Sequence, residues 1–130
     1  FVKEELSDAA EALLDVGGDD PESRRYVPDL FFVECANVLW KYVLRYGLSS
    51  KVASRNLSDL YRLGLTSVPT PTLTPAALTL AVDLSISVYD ACYVAAADLI
   101  RVPLVTADKR LVNHLIGSNR QVCFLGDISL

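Results

Sequence analysis

Three carboxylates lie where apolar residues would be expected, and acids in apolar surroundings are the raw material of cation chemistry. Glu34 sits inside Leu30-Phe-Phe-Val-Glu-Cys-Ala-Asn-Val-Leu-Trp40, a run whose only other polar member is Asn37. Asp90 follows Ser85-Ile-Ser-Val-Tyr89 and precedes the small, apolar stretch Ala91 to Ala97; Asp108 comes directly after Pro103-Leu-Val-Thr-Ala107. If the three reach one crevice, each raises the others' affinity for protons, and a hard divalent cation relieves the repulsion. An oxygen-only ligand set selects Mg²⁺ or Mn²⁺ over zinc.

Each acid also has an ordinary use. Asn37 and Lys41 fall within about 60° of Glu34 around a helix, so the three make a polar line that either faces solvent, with Glu34 paired to Lys41, or faces a site. Asp90 in a first helical turn suits the helix dipole, and Asp108 suits an N-cap. What sets them apart as a group is position. In an open parallel sheet the carboxyl ends of strands and the adjoining helix N-termini form the ligand-binding crevice, and Asp90 and Asp108 both fall at such edges.

The elements that would carry them follow from punctuation and periodicity. Ser7 caps a short acidic helix that the Gly17-Gly18-Asp-Asp-Pro21 cluster ends. Arg25-Tyr-Val reads as a brief strand, and Pro28 and Asp29 open a helix from Leu30 to Tyr46 closed by Gly47. Ser49 or Ser50 caps a second helix to about Leu63, before Gly64. Thr74-Pro75 reads as N-cap and first residue of a helix to about Leu84, and Val88 to Ile100 is a helix apolar on most sides. Pro103 to Thr106 is a short buried strand, Asp108 opens another helix, and Gln121 to Leu125 is a final strand. Helices alternating with short apolar strands imply a parallel sheet covered on both faces, a three-layer α/β/α domain. At 130 residues the whole chain, 1–130, fits one such domain.

Composition narrows the function classes. With 52% apolar and 22% charged residues the chain has the balance of a folded protein. The longest uncharged stretch, Leu63 to Val82, holds Pro69, Pro71 and Pro75 among five threonines, which argues against a membrane span. No secretory signal is visible, so a cytoplasmic location is expected. Cys35, Cys92 and Cys123 are widely separated and lie within largely apolar stretches, the pattern of packed thiols and not of a zinc or redox pair. His114 is the only histidine, which leaves little for a Ser-His triad and reads as a surface or capping residue. The net charge of −4 conceals an uneven distribution, because residues 1–22 hold eight acids and one base, so residues 23–130 carry eleven bases against eight acids. Lys41, Arg45, Lys51, Arg55 and Arg62 face Asp59 alone between positions 41 and 62, either a solvated helical face or a surface that attracts phosphates.

Three segments, in order, resemble the PIN-domain family. Val27 to Lys41 resembles its helix with an acid followed three residues later by Asn; Ser87-Val-Tyr-Asp-Ala-Cys-Tyr-Val-Ala-Ala-Ala97 is similar to its Tyr-Asp-Ala helix; Pro103-Leu-Val-Thr-Ala-Asp-Lys-Arg-Leu111 is similar to its Thr-x-Asp block. The nearest likeness is to VapC-like toxins of bacterial and archaeal toxin-antitoxin pairs. The resemblance implies that Glu34, Asp90 and Asp108 are catalytic metal ligands for Mg²⁺ or Mn²⁺, with Asn37 and Thr106 supporting them by hydrogen bonds. It also implies a first strand bearing Asp; the chain opens at Phe1-Val-Lys-Glu-Glu, which resembles the segment just after it, so that central strand and its ligand are expected ahead of Phe1.

The activity so implied is metal-assisted hydrolysis of single-stranded or structured RNA, in which the protein needs no nucleophilic side chain. The resemblance further implies a homodimer and a cognate antitoxin whose tail fills the acidic crevice; Phe31, Phe32, Trp40, Tyr42 and Tyr46 serve either that partner or the core. The alternatives are a PIN-like binding module without chemistry and a phosphoreceiver domain. The second fits poorly, since Asp19-Asp20 lies in a glycine-rich loop and not after an apolar strand.

Overall fold

A computed structural model describes residues 24–125, so the expected helix after Ser7 and the glycine-rich loop lie outside the described residues. Strands and helices alternate as β1 (Tyr26–Pro28), α1 (Leu30–Tyr46), α2 (Ser50–Tyr61), β2 (Thr66–Val68), α3 (Thr70–Leu84), α4 (Val88–Ile100), β3 (Leu104–Thr106), α5 (Lys109–Leu115) and β4 (Val122–Phe124). β1 pairs with β2 and β3 with β4, both parallel, as crossover helices require. The fold is α/β. Among the described residues the strands form two separate pairs instead of one continuous sheet, because no described strand bridges β1 or β2 to β3 or β4.

Helix ends follow local chemistry. Gly47 closes α1 at φ 69°, a left-handed conformation that favours glycine, and its N–H reaches the Tyr42 carbonyl. Ser49 caps α2 by accepting from the Lys51 N–H at 3.2 Å. α3 departs from expectation, starting at Thr70 and leaving Pro75 inside the helix. Two side chains make this possible. The Asp29 carboxylate, expected to serve its own helix, accepts from the Thr70 N–H at 3.1 Å and so caps α3 from 41 residues away. The Thr74 hydroxyl donates to the Pro71 carbonyl at 3.4 Å, the acceptor that Pro75, lacking an N–H, cannot serve.

α4 is the shared core element. Ala91, Cys92, Ala95 and Ala96 pack with Leu73 and Ala77 of α3, while Val94 packs with Leu104, Leu111 and Leu115 on its other side. Alanines at these positions let two helices approach closely, and Ala77 and Ala91 are fully buried. Cys35 and Cys92 are buried as expected, with burial foremost and the Glu34 charge next pushing the Cys35 thiol up to about 11, so it stays protonated and unreactive. Cys123 is half-buried. β3 is less enclosed than expected, its middle residue Val105 being exposed.

The aromatic residues of α1 divide. Phe32 stacks on Tyr61 at 4.6 Å between ring centroids and meets Phe31 edge-on, whereas Trp40 and Tyr46 remain exposed. Among the described residues no single helix is long and apolar enough to cross a membrane.

Candidate active site

Asp90 stands at the third position of α4 because Ser87 begins that helix: the Ser87 hydroxyl accepts the Asp90 N–H at 3.0 Å. Asp108 is placed by the strand before it. Thr106, the last residue of β3, accepts the Asp108 N–H on its hydroxyl at 3.1 Å, and Asp108 Oδ1 accepts from the N–H groups of Arg110 at 2.9 Å and Leu111 at 3.3 Å. Oδ2 of Asp108 makes no hydrogen bond to the described residues, so one oxygen stays open to a ligand.

The two carboxylates meet in a pocket of about 280 Å³ between the α3–α4 corner and α5, lined also by Ser85, Ser87, Arg110 and His114. The α3–α4 corner bends by 114°, with Ser85 in the left-handed region at φ 55°. Burial raises the Asp90 carboxyl above its ordinary value, and the charge of Asp108 raises it further; a hydrogen bond with the Ser87 side chain and the charges of Arg110 and His114 act the other way.

Glu34 comes from α1. Its Oε1 accepts a hydrogen bond from the Tyr93 hydroxyl at 2.5 Å, not from Lys41, and Tyr93 lies one turn beyond Asp90 on α4. Burial, then the hydrogen bond to Glu34, push the Tyr93 phenol upward, so it remains a donor at any physiological pH. Asn37 is exposed one turn along α1 from Glu34. The structure therefore brings Asp90 and Asp108 into one pocket and ties Glu34 to the same helix through Tyr93. Among the described residues no three His, Cys, Asp or Glu side chains gather closely enough to hold a metal ion.

The family model of the PIN domain matches residues 1–114. The chain belongs to the PIN-domain family. PIN domains are generally nucleases, and their nucleases use divalent metal ions. A comparison with curated proteins gives no significant match. The donor chemistry of this PIN domain fits such an ion: two hard carboxylates share one pocket, one partly desolvated and short of positive charge, the other with a free oxygen.

Sequence reasoning about this PIN domain missed Tyr93, Arg110 and His114. Tyr93 is signalled only by its i, i+3 spacing from Asp90 on an otherwise apolar helix. His114, expected to be a surface or capping residue, is exposed and also lines the acidic pocket, one turn from Arg110 on the same face of α5.

Proposed function

We propose that this chain is a metal-dependent endoribonuclease that hydrolyses RNA phosphodiester bonds in the cytoplasm as the toxin of a toxin-antitoxin pair. The observation that carries the reading is the pairing of Asp90 with Asp108 in one pocket, where the partial burial of Asp90 and the nearby Asp108 charge leave a deficit of positive charge. Asp90 and Asp108 are the residues that would hold Mg²⁺ or Mn²⁺, and Glu34 would join them from α1. A bound ion supplies Lewis-acid polarisation of the phosphoryl group and lowers the pKa of an attacking water. Thr106 holds Asp108 in place, Ser87 holds Asp90, and Tyr93 fixes the direction of Glu34. Preset ligands avoid reorganisation when substrate arrives.

Replacement of Asp90 or Asp108 by Asn keeps size and shape while removing a charged ligand. Each variant is expected to lose Mn²⁺-dependent cleavage of single-stranded RNA with an unchanged circular dichroism spectrum. Full activity in both variants would sink the reading.

A partner surface accompanies it. Val33, Trp40 and Leu44 lie seven and four residues apart along one face of α1 and are 71%, 56% and 63% exposed, an apolar stripe suited to a second copy of the chain or to a cognate antitoxin. The alternative of a binding module without chemistry is favoured by one fact, the absence of a third ligating side chain beside Asp90 and Asp108 among the described residues. Under that alternative the protein captures its partner through α1 and leaves RNA intact at any Mn²⁺ concentration.

A further inference from the structure

An acidic pocket built only to hold cations has no use for fixed positive charge on its wall, yet Arg110 lines the same pocket as Asp90 and Asp108, with His114 beside it. Arg110 pairs with neither acid: the ion pairs among the described residues are Arg62–Asp59 and Arg120–Asp98, and the Arg110 guanidinium has no hydrogen-bond partner there. Its backbone is pinned, since its N–H is held by Asp108 Oδ1 and its carbonyl oxygen by His114. A guanidinium anchored at the backbone, near enough for its charge to act on Asp90 yet in no ion pair with either acid, is arranged to meet an anion brought in from outside. Its planar fork of donors matches two oxygens of a phosphate.

His114 has a determinate chemistry. Its Nδ1 is 2.7 Å from the Arg110 carbonyl oxygen. A carbonyl oxygen only accepts, so Nδ1 carries the proton, and in the neutral ring Nε2 bears the lone pair. Nε2 is therefore an acceptor looking for a hydroxyl. Beside a phosphodiester the hydroxyl that distinguishes RNA from DNA is the ribose 2′-OH.

We propose that Arg110 and His114 form the ribose-phosphate wall of this pocket, Arg110 binding the non-bridging oxygens of a phosphate and His114 Nε2 accepting from the adjoining 2′-hydroxyl. The inference rests on the nuclease reading for its substrate class but assigns residues that reading leaves unused. It makes Arg110 the source of affinity for any nucleic-acid strand and His114 the source of preference for RNA.

The test is binding without cleavage. Fluorescence anisotropy with a short single-stranded RNA and the DNA of the same sequence is measured in EDTA across a salt series, for wild type, Arg110→Gln, Arg110→Lys, His114→Ala and Asp90→Asn. Arg110→Gln is expected to weaken both strands about tenfold, and to reduce the slope of log affinity against log salt by about 0.7. Arg110→Lys is expected to restore the slope but only part of the affinity, because an ammonium is a point charge. His114→Ala is expected to weaken RNA about fivefold and leave DNA unchanged. Wild-type affinity and slope in Arg110→Gln, or equal weakening of RNA and DNA in His114→Ala, overturns the assignment, and so does a wild type that binds neither strand. Asp90→Asn separates the two ideas: if it binds RNA as wild type and also cleaves it with Mn²⁺ as wild type, the nuclease site is wrong while the wall stands.

Discussion

The Tyr93 hydroxyl donates to the Glu34 carboxylate across 59 residues of chain, and Tyr93 stands three residues beyond Asp90 on the same helix. One side chain thus couples the acid of α1 to the helix that carries the pocket. Tyr93→Phe removes that coupling with almost no change of volume. A hydrogen bond to a charged group is worth about 1.5–3 kcal/mol when enclosed, and here Glu34 is exposed, so a loss of about 1 kcal/mol in urea unfolding is expected. Cleavage of RNA is expected to fall about tenfold at a temperature where the variant is fully folded. A variant with wild-type turnover would show that the orientation of Glu34 does not matter to the chemistry.

The raised Asp90 carboxyl makes the metal-free protein sensitive to pH in a defined direction. Its folded value lies above the ordinary 3.8 because of burial and the Asp108 charge. Between those two values the folded state binds more protons than the unfolded state, so stability falls as pH rises through the window, and the deficit persists at neutral pH. Asp90→Asn removes the deficit. In EDTA at pH 7.5 the variant is expected to have a higher Tm than wild type, with the difference shrinking as pH falls toward 3.8. Adding Mn²⁺ is expected to raise the wild-type Tm and leave that of Asp90→Asn nearly unchanged. Thermal melts at several pH values, with and without the ion, check both halves.

Local signals explain why so much of the fold was readable. Gly47 after an apolar-periodic run and Ser49 ahead of α2 each solve a helix end within a few residues, and α1 and α4 begin and end where expected. The start of α3 was not readable, because its cap is Asp29, distant in sequence, and because Thr74 compensates for Pro75 through a side chain. The division of the strands into two pairs depends on which backbones meet, which no single segment encodes. Asp90 and Asp108 stood out as acids next to apolar runs. Glu34 stood out equally, but its partner Tyr93 lies on another helix, and the entry of Arg110 and His114 into the pocket depends on how α5 packs through Leu111 and Leu115.

The close approach of α3 and α4 depends on alanines, which yields a packing prediction. Ala77 and Ala91 are both fully buried in the cluster that joins these helices. Ala91→Leu adds three carbons where no space exists, one residue from Asp90, and overpacking of this kind costs about 1–3 kcal/mol. Urea denaturation is expected to give a lower midpoint of that size. Leu99→Ala on the exposed side of the same helix is the control, expected to change stability by no more than about 0.5 kcal/mol. Equal costs at the two positions would mean that the alanine face of α4 is not what sets the helix spacing.

The basic residues of α1 give a prediction about how RNA would reach the pocket. Lys41 and Arg45 lie seven and eleven residues beyond Glu34, within about 20° of it around the helix and roughly 10 and 16 Å along its axis. Both are exposed, and neither forms an ion pair among the described residues. They therefore make a line of unpaired positive charge running away from Glu34 on the same face, the arrangement that tracks a phosphate backbone. Neutralising both with Lys41→Gln and Arg45→Gln removes up to two phosphate contacts, so the slope of log affinity against log salt for single-stranded RNA is expected to fall by about 1.4. Because both side chains are at the surface, the Tm is expected to stay within a degree or two of wild type. A double variant with an unchanged salt slope would mean that RNA approaches from another side and that this face of α1 is only solvated.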